Sequence, residues 1–119
     1  ILDDCGNILD AASLGAISAL LCTKVPASRF GLGEDYILPI RDIPIATTAI
    51  EFSDVLMFDP GVEEEAIANT KLTVITTTNG DICGMQKSGT GMLNPEQVYR
   101  IIDIACEKAK EIREKFLEA

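Results

Sequence analysis

The sequence of 119 residues contains no histidine. That absence excludes the mixed Cys/His zinc sites, whose ligands are imidazole nitrogens and thiolates. It also removes the base that most often activates a nucleophile. The four cysteines, Cys5, Cys22, Cys83 and Cys106, form no C-x-x-C pair. Cys22 and Cys106 fall on apolar helix faces, where a thiol acts as a small hydrophobe. All four are expected to be reduced, mostly buried and intracellular. No apolar run reaches the ~20 residues that cross a bilayer. No signal-peptide pattern is visible either, so a cytoplasmic protein with no membrane partner is expected. Basic charge is scarce: 10 Lys and Arg stand against 19 Asp and Glu, a net charge of −9. A free-standing nucleic-acid binder carries a basic patch or stripe. Here half of the basic residues (Arg100, Lys108, Lys110, Arg113, Lys115) sit among acids near the end of the chain. Such a surface favours solubility and repels phosphate backbones.

What is present is apolar residue, 47% of the chain. This is too much for a disordered class and enough for the core of one compact domain. Ile1 and Leu2 read as the end of a strand that began earlier, so the sequence is taken as a piece of a longer protein.

Asp3-Asp4-Cys5-Gly6-Asn7 is a turn signal. Asp10 is then placed as the N-cap of a helix over about Ala11 to Thr23. That helix is apolar nearly all round, which predicts cover on several sides. Pro26, Gly31, Gly33, Pro39 and Pro44 mark a connection with one extended piece, Tyr36 to Ile40. Ile45–Phe52 and Val55–Phe58 read as a strand pair joined at Ser53-Asp54. Val62 to Ala68 reads as a short helix, with Glu63, Glu64 and Glu65 in the first turn, where the dipole favours acids. Lys71 to Thr78 and Asp81 to Lys87 form a second hairpin around Asn79-Gly80, a type I′ signal. Ser88-Gly89-Thr90-Gly91 is read as a flexible link. Asn94, Pro95 and Gln97 give a capping box with proline at the first helical position. Val98, Ile101, Ile102, Ala105, Ile112 and Phe116 then form one apolar face, with Glu111 and Lys115 paired on the solvent side. The fold class is therefore α+β: an antiparallel four-stranded sheet of two hairpins, covered by helices.

No motif in this pattern builds an evident active site. The 88–91 glycine-rich segment lacks the lysine and spacing of a phosphate loop. Glu63, Glu64 and Glu65 with Asp59 are candidate metal carboxylates, but consecutive helical residues point apart; a solvated helix start is preferred. Turn and cap duties account for Asp3, Asp4 and Asp10. No catalytic, cofactor-binding or metal residue is assigned.

Four segments in order resemble the ribonuclease PH family. They are Asp3 through Leu14, Leu38-Pro39 through Ile45, Phe58 through Glu65, and Asn79 through Gly89. Within the family they are most similar to the non-catalytic ring subunit of the archaeal exosome. The resemblance implies a ribonuclease PH-like fold: residues 1–40 are the tail of a first domain, including its last helix, plus a connection, and residues 41–119 are the C-terminal domain. It also implies a hetero-hexameric ring with a catalytic ribonuclease PH-like partner, with RNA threaded through it. Catalytic members hold phosphate with Thr and Arg at the turn before the first helix, and they use an Asp pair six residues apart. Here the turn reads Gly6-Asn7-Ile8-Leu9-Asp10, without the Arg fork that grips phosphate, and Asp10 would repel it. The Asp pair maps to Glu65 and Lys71, and an ammonium cannot serve as a metal-binding carboxylate. The expected role is thus a non-catalytic structural subunit. Two alternatives stay open: a phosphate-dependent exoribonuclease using Glu65 and Asp59, and an unrelated acidic binding module.

Overall fold

The computed structural model describes residues 1–117; Glu118 and Ala119, the last two of the 41–119 segment, lie outside the described residues. The order is α1 (Ile8–Leu21), β1 (Lys24–Val25), a 3₁₀ turn (Ala27–Phe30), β2 (Tyr36–Ile37), β3 (Ile45–Phe52), β4 (Val55–Phe58), α2 (Val62–Ile67), β5 (Thr70–Thr76), β6 (Ile82–Gly89) and α3 (Pro95–Ile112), closed by a wider π-type turn (Arg113–Leu117). The four long strands form one antiparallel sheet in the order β4-β3-β5-β6. This is the expected α+β arrangement.

Period-two alternation divides the sheet. Ala49, Leu72 and Val74 point to one face, where Ile101 and Ala105 of α3 pack against them with Leu56 and Phe58. Ile101 is fully buried, a burial that contributes about 1.5–3 kcal/mol. The capping box that starts α3 is formed as its sequence predicts: Asn94 Oδ1 accepts from the Gln97 N–H at 2.8 Å, and Gln97 Oε1 from the Asn94 N–H at 2.9 Å. The apolar face runs on through Ala109, then ends in a charged residue. Arg113 is buried, and its guanidinium donates to the carbonyls of Ile43 and Thr76. Phe116, expected on that face, is instead exposed, because the π-type turn rotates it away. Glu111 does meet Lys115, at 4.0 Å, but it lies closer to Lys108, at 3.1 Å.

The second hairpin departs from the expected turn. Gly80 has a left-handed φ of 86° but Asn79 does not. The Gly80 N–H donates to Thr77 O at 3.0 Å, and the Thr77 N–H to Asp81 O at 2.8 Å. This is a three-residue loop, a type I turn followed by glycine, not the two-residue type I′ form. A register shift between Ile75 and Thr76 leaves Cys83 as the extra residue of a bulge. Ser88 and Gly89, read as a link, belong to β6, and Gly91 donates to Asn69 O.

α1 begins at Ile8, with Asn7 at its cap position in a left-handed conformation (φ 50°), not at Asp10. β4 pairs only with residues 49–52 of β3, and α1 packs against the part of β3 beyond it. Leu14, Ile17 and Leu21 join Ile45 and Ala109 there. Among the described residues α1 is covered on one side and not on several: Ile17 is its buried residue, while Ile8, Leu9 and Leu20 are exposed. The cysteines are also less buried than expected. Cys5, Cys22 and Cys83 are exposed and Cys106 is partly so, because Cys22 falls past the last helical turn and Cys83 in the bulge. Among the described residues no helix is long and apolar enough to cross a membrane.

Candidate functional site

The N-terminal turn, the start of α2 and the middle of the sheet meet at one place. Gly6 makes the meeting possible. Its φ is 99°, and a Cβ there would lie 2.6 Å from the Gly61 carbonyl carbon and 2.7 Å from Pro60 O. Only glycine allows that approach at that φ. The Val62 N–H donates to Cys5 O at 3.0 Å and ties the two turns together.

Asn7 follows and sits at the centre of a polar network. Its Nδ2 donates to Asp10 Oδ2 at 3.0 Å and to Asp59 Oδ1 at 2.9 Å. Its backbone N–H reaches Glu65 Oε1 at 3.3 Å. With Nδ2 turned to the two carboxylates, Oδ1 is buried without a partner among the described residues. Asp10 explains why α1 docks where it does. Its carboxylate accepts from the Thr48 N–H and the Thr48 hydroxyl, both at 2.7 Å. Thr48 lies just past the reach of β4, so Asp10 supplies the acceptor that a longer β4 would have offered. The Thr48 hydroxyl also meets the Thr73 hydroxyl of β5, at 2.7 Å.

Glu65 and Lys71 close the network on the other side. Lys71 Nζ stands 2.9 Å from Glu65 Oε1. The ion pair opens on a cleft of about 400 Å³, whose walls include Ile8, Leu9, Thr48, Gln86 and Ser88. The positions expected to carry a phosphate-gripping Arg thus present two aliphatic side chains. The position expected to carry the second carboxylate presents an ammonium that already neutralises the first. Asp59 and Asp10 are spent on Asn7 and Thr48. Among the described residues no three His, Cys, Asp or Glu side chains converge as a metal ligand set.

Structure therefore brings Asp10, Asp59, Glu65 and Lys71 together. Sequence had set Asp59 beside Glu65 only as candidate carboxylates, and had matched Glu65 and Lys71 to the family's Asp pair only through the resemblance. Glu63 and Glu64 stay apart from them, and Glu64 accepts the Gly61 N–H at 2.7 Å. Asp3 and Asp4 serve the first turn, through the Asp4 and Gly6 N–H groups. Asn7 is the member that sequence reading missed, and its Asn-after-Gly position was the available signal.

An antiparallel sheet backed by one long helix, with a helix N-terminus and an acidic turn facing its open side, defines a ribonuclease PH-like domain. The model of the 3′ exoribonuclease family, domain 2, matches residues 42–108. The chain belongs to that family. It is 56% identical over 115 residues to an exosome complex component Rrp42 of Methanocella arvoryzae, covering 97% of this chain and 44% of that protein. Against the Archaeoglobus fulgidus Rrp42 it is 44% identical, covering 98% of this chain and 45% of that one. The chain thus spans a little under half the length of these relatives. A solved structure of the Archaeoglobus fulgidus exosome with RNA bound to the active site superposes with a TM-score of 0.92 at 44% identity, covering 97% of this chain and 45% of the other. Rice Rrp46, at 14% identity and a TM-score of 0.69, shares the fold.

Proposed function

We propose that the chain is the C-terminal part of a non-catalytic ring subunit of a phosphorolytic 3′-to-5′ RNA-degrading exosome. In that role it pairs with a catalytic ribonuclease PH-like paralogue in the cytoplasm and helps thread RNA to the paralogue's sites. The observation that carries this is the Glu65–Lys71 ion pair at 2.9 Å, beside a turn of Ile8 and Leu9. Phosphorolysis needs a cationic grip on phosphate and stabilisation of charge at the leaving group. Among the described residues, the one cation bordering the cleft, Lys71, is already paired with a carboxylate, and the turn has no donor side chain for phosphate oxygens beyond Asn7, which is engaged. The similarity to Rrp42 proteins at high identity supports the ring role. Residues 1–40 then belong with a first domain and residues 41–119 form the second. The start of the family match at residue 42 and the thin cover of α1 support that division.

The test is phosphate-dependent RNA digestion by the full-length protein, alone and mixed with its catalytic paralogue. Silence alone is expected, with nucleoside diphosphate release by the mixture exceeding that of the paralogue. Release by this protein alone would make it the enzyme and give Glu65 and Asp59 a catalytic role.

A further inference from the structure

We infer that Asn79 is a site of spontaneous deamidation, where the chain converts its own side-chain amide to a carboxylate through attack by the Gly80 backbone nitrogen. Asparagine is among the thermolabile residues, and the chain has it at positions 7, 69, 79 and 94. The structure separates these four. Reaction requires the next residue's amide nitrogen to reach Cγ. Asn94 precedes Pro95, which has no N–H to lose. Asn7 precedes β-branched Ile8, is itself buried, and holds two carboxylates with its amide. Asn69 precedes Thr70, which is 1% exposed and fixed in β5, and the Asn69 amide donates to Glu51. Asn79 differs on each count. Both it and Gly80 are exposed at a hairpin tip, and nothing lies within 4 Å of where a Gly80 Cβ would stand.

In the first step the Gly80 N–Cγ bond forms and the Cγ–Nδ2 bond breaks. Ammonia leaves with the proton that Gly80 gave up. Water then adds to one carbonyl of the cyclic imide. Opening at Cγ leaves an ordinary aspartate; opening at the main-chain carbonyl leaves an isoaspartyl link. The net change is NH exchanged for O. Local structure sets the gate, because the Gly80 N–H is the one that closes the turn on Thr77 O at 3.0 Å. Attack must wait for that bond to open, and a hairpin tip opens more easily than core strands. The imide nitrogen has no hydrogen, so Thr77 O loses its donor. An isoaspartyl link adds a methylene to the backbone of a three-residue loop. Thr78, whose N–H and hydroxyl donate to Asp42 at 2.8 and 2.6 Å, lies inside the same loop.

The full-length protein is incubated at mildly alkaline pH, which favours loss of the Gly80 proton, and samples are digested in acid and mapped by peptide mass spectrometry. Isoaspartate is read by methyltransferase labelling. The exchange is expected at Asn79 before any other asparagine, and labelling at that peptide is lost in Asn79→Ser. A parallel incubation in urea is expected to speed the change, by removing the turn. An Asn79 that stays intact in the folded protein while converting in urea would overturn the inference. So would earlier conversion at Asn7, Asn69 or Asn94.

Discussion

Asp10 lies in the first turn of α1, yet its carboxylate serves β3. Sequence places it at the N-cap of α1, because a short acid before an apolar run is the usual signature. In the structure it lies in the first turn and completes the edge of β3 that β4 leaves open, accepting from the Thr48 N–H and hydroxyl. No local pattern announces that β4 stops short of Thr48, so no local pattern could reveal the need. Asp10→Ala would leave the buried Thr48 N–H without its acceptor and the Thr48 hydroxyl with only Thr73. A loss of about 1–3 kcal/mol is expected, read as a lowered urea midpoint with unchanged slope. Gly6→Ala should cost as much or more. Its φ of 99° is strained for alanine, by about 1–3 kcal/mol, and the added Cβ would meet the Pro60-Gly61 backbone. Retention of full stability by the Gly6 variant would mean that the two turns do not meet as described.

At the scale of elements, the strands and α3 were legible because each carries its own signal. β3 and β4 alternate or run apolar between turn residues, and the 94–97 capping box names its helix start to the residue. Hairpin geometry was less legible. Asn-Gly fits both a type I′ turn and a type I turn with a following bulge, and the choice depends on register. The end of α3 was not legible, because Arg113 occupies an apolar position. Its burial is explained by the carbonyls of Ile43 and Thr76, which it satisfies together. Arg113→Met keeps much of the side-chain volume but orphans both carbonyls, and a loss of about 1–3 kcal/mol is expected in urea unfolding. Asp42 stands close by. Hydrogen bonds from the Thr78 hydroxyl and backbone N–H hold its carboxyl below the usual range, with Arg113 adding to the effect. Because its folded pKa is depressed, its contribution is complete above the unfolded value of about 3.9. That contribution fades as pH falls through the folded value. Asp42→Asn should therefore flatten the acid side of the stability–pH curve. A curve of unchanged shape would show that the Thr78 contacts do not select the ionised form.

The whole molecule is longer than its size requires. Its radius of gyration is 17.1 Å, against about 13.5 Å for a compact domain of this length. β1 and β2 pair with each other, and Phe30, Leu32, Tyr36 and Ile37 around them are exposed. α1 is apolar nearly all round in sequence, yet Ile8, Leu9 and Leu20 stay exposed here, and sequence cannot say whether their cover lies within these residues. Cooperative opening follows local burial, so hydrogen exchange separates the possibilities. In the 119-residue chain by itself, amides of β3, β5 and α3 should exchange slowest and those of β1 and β2 fastest, with α1 between. If residues 1–40 belong with a first domain, α1 and the arm should gain protection in the full-length protein while the β3–β5 core changes little. Equal protection of α1 in both would place it wholly within the second domain and move the proposed boundary at residue 40 towards the N-terminus.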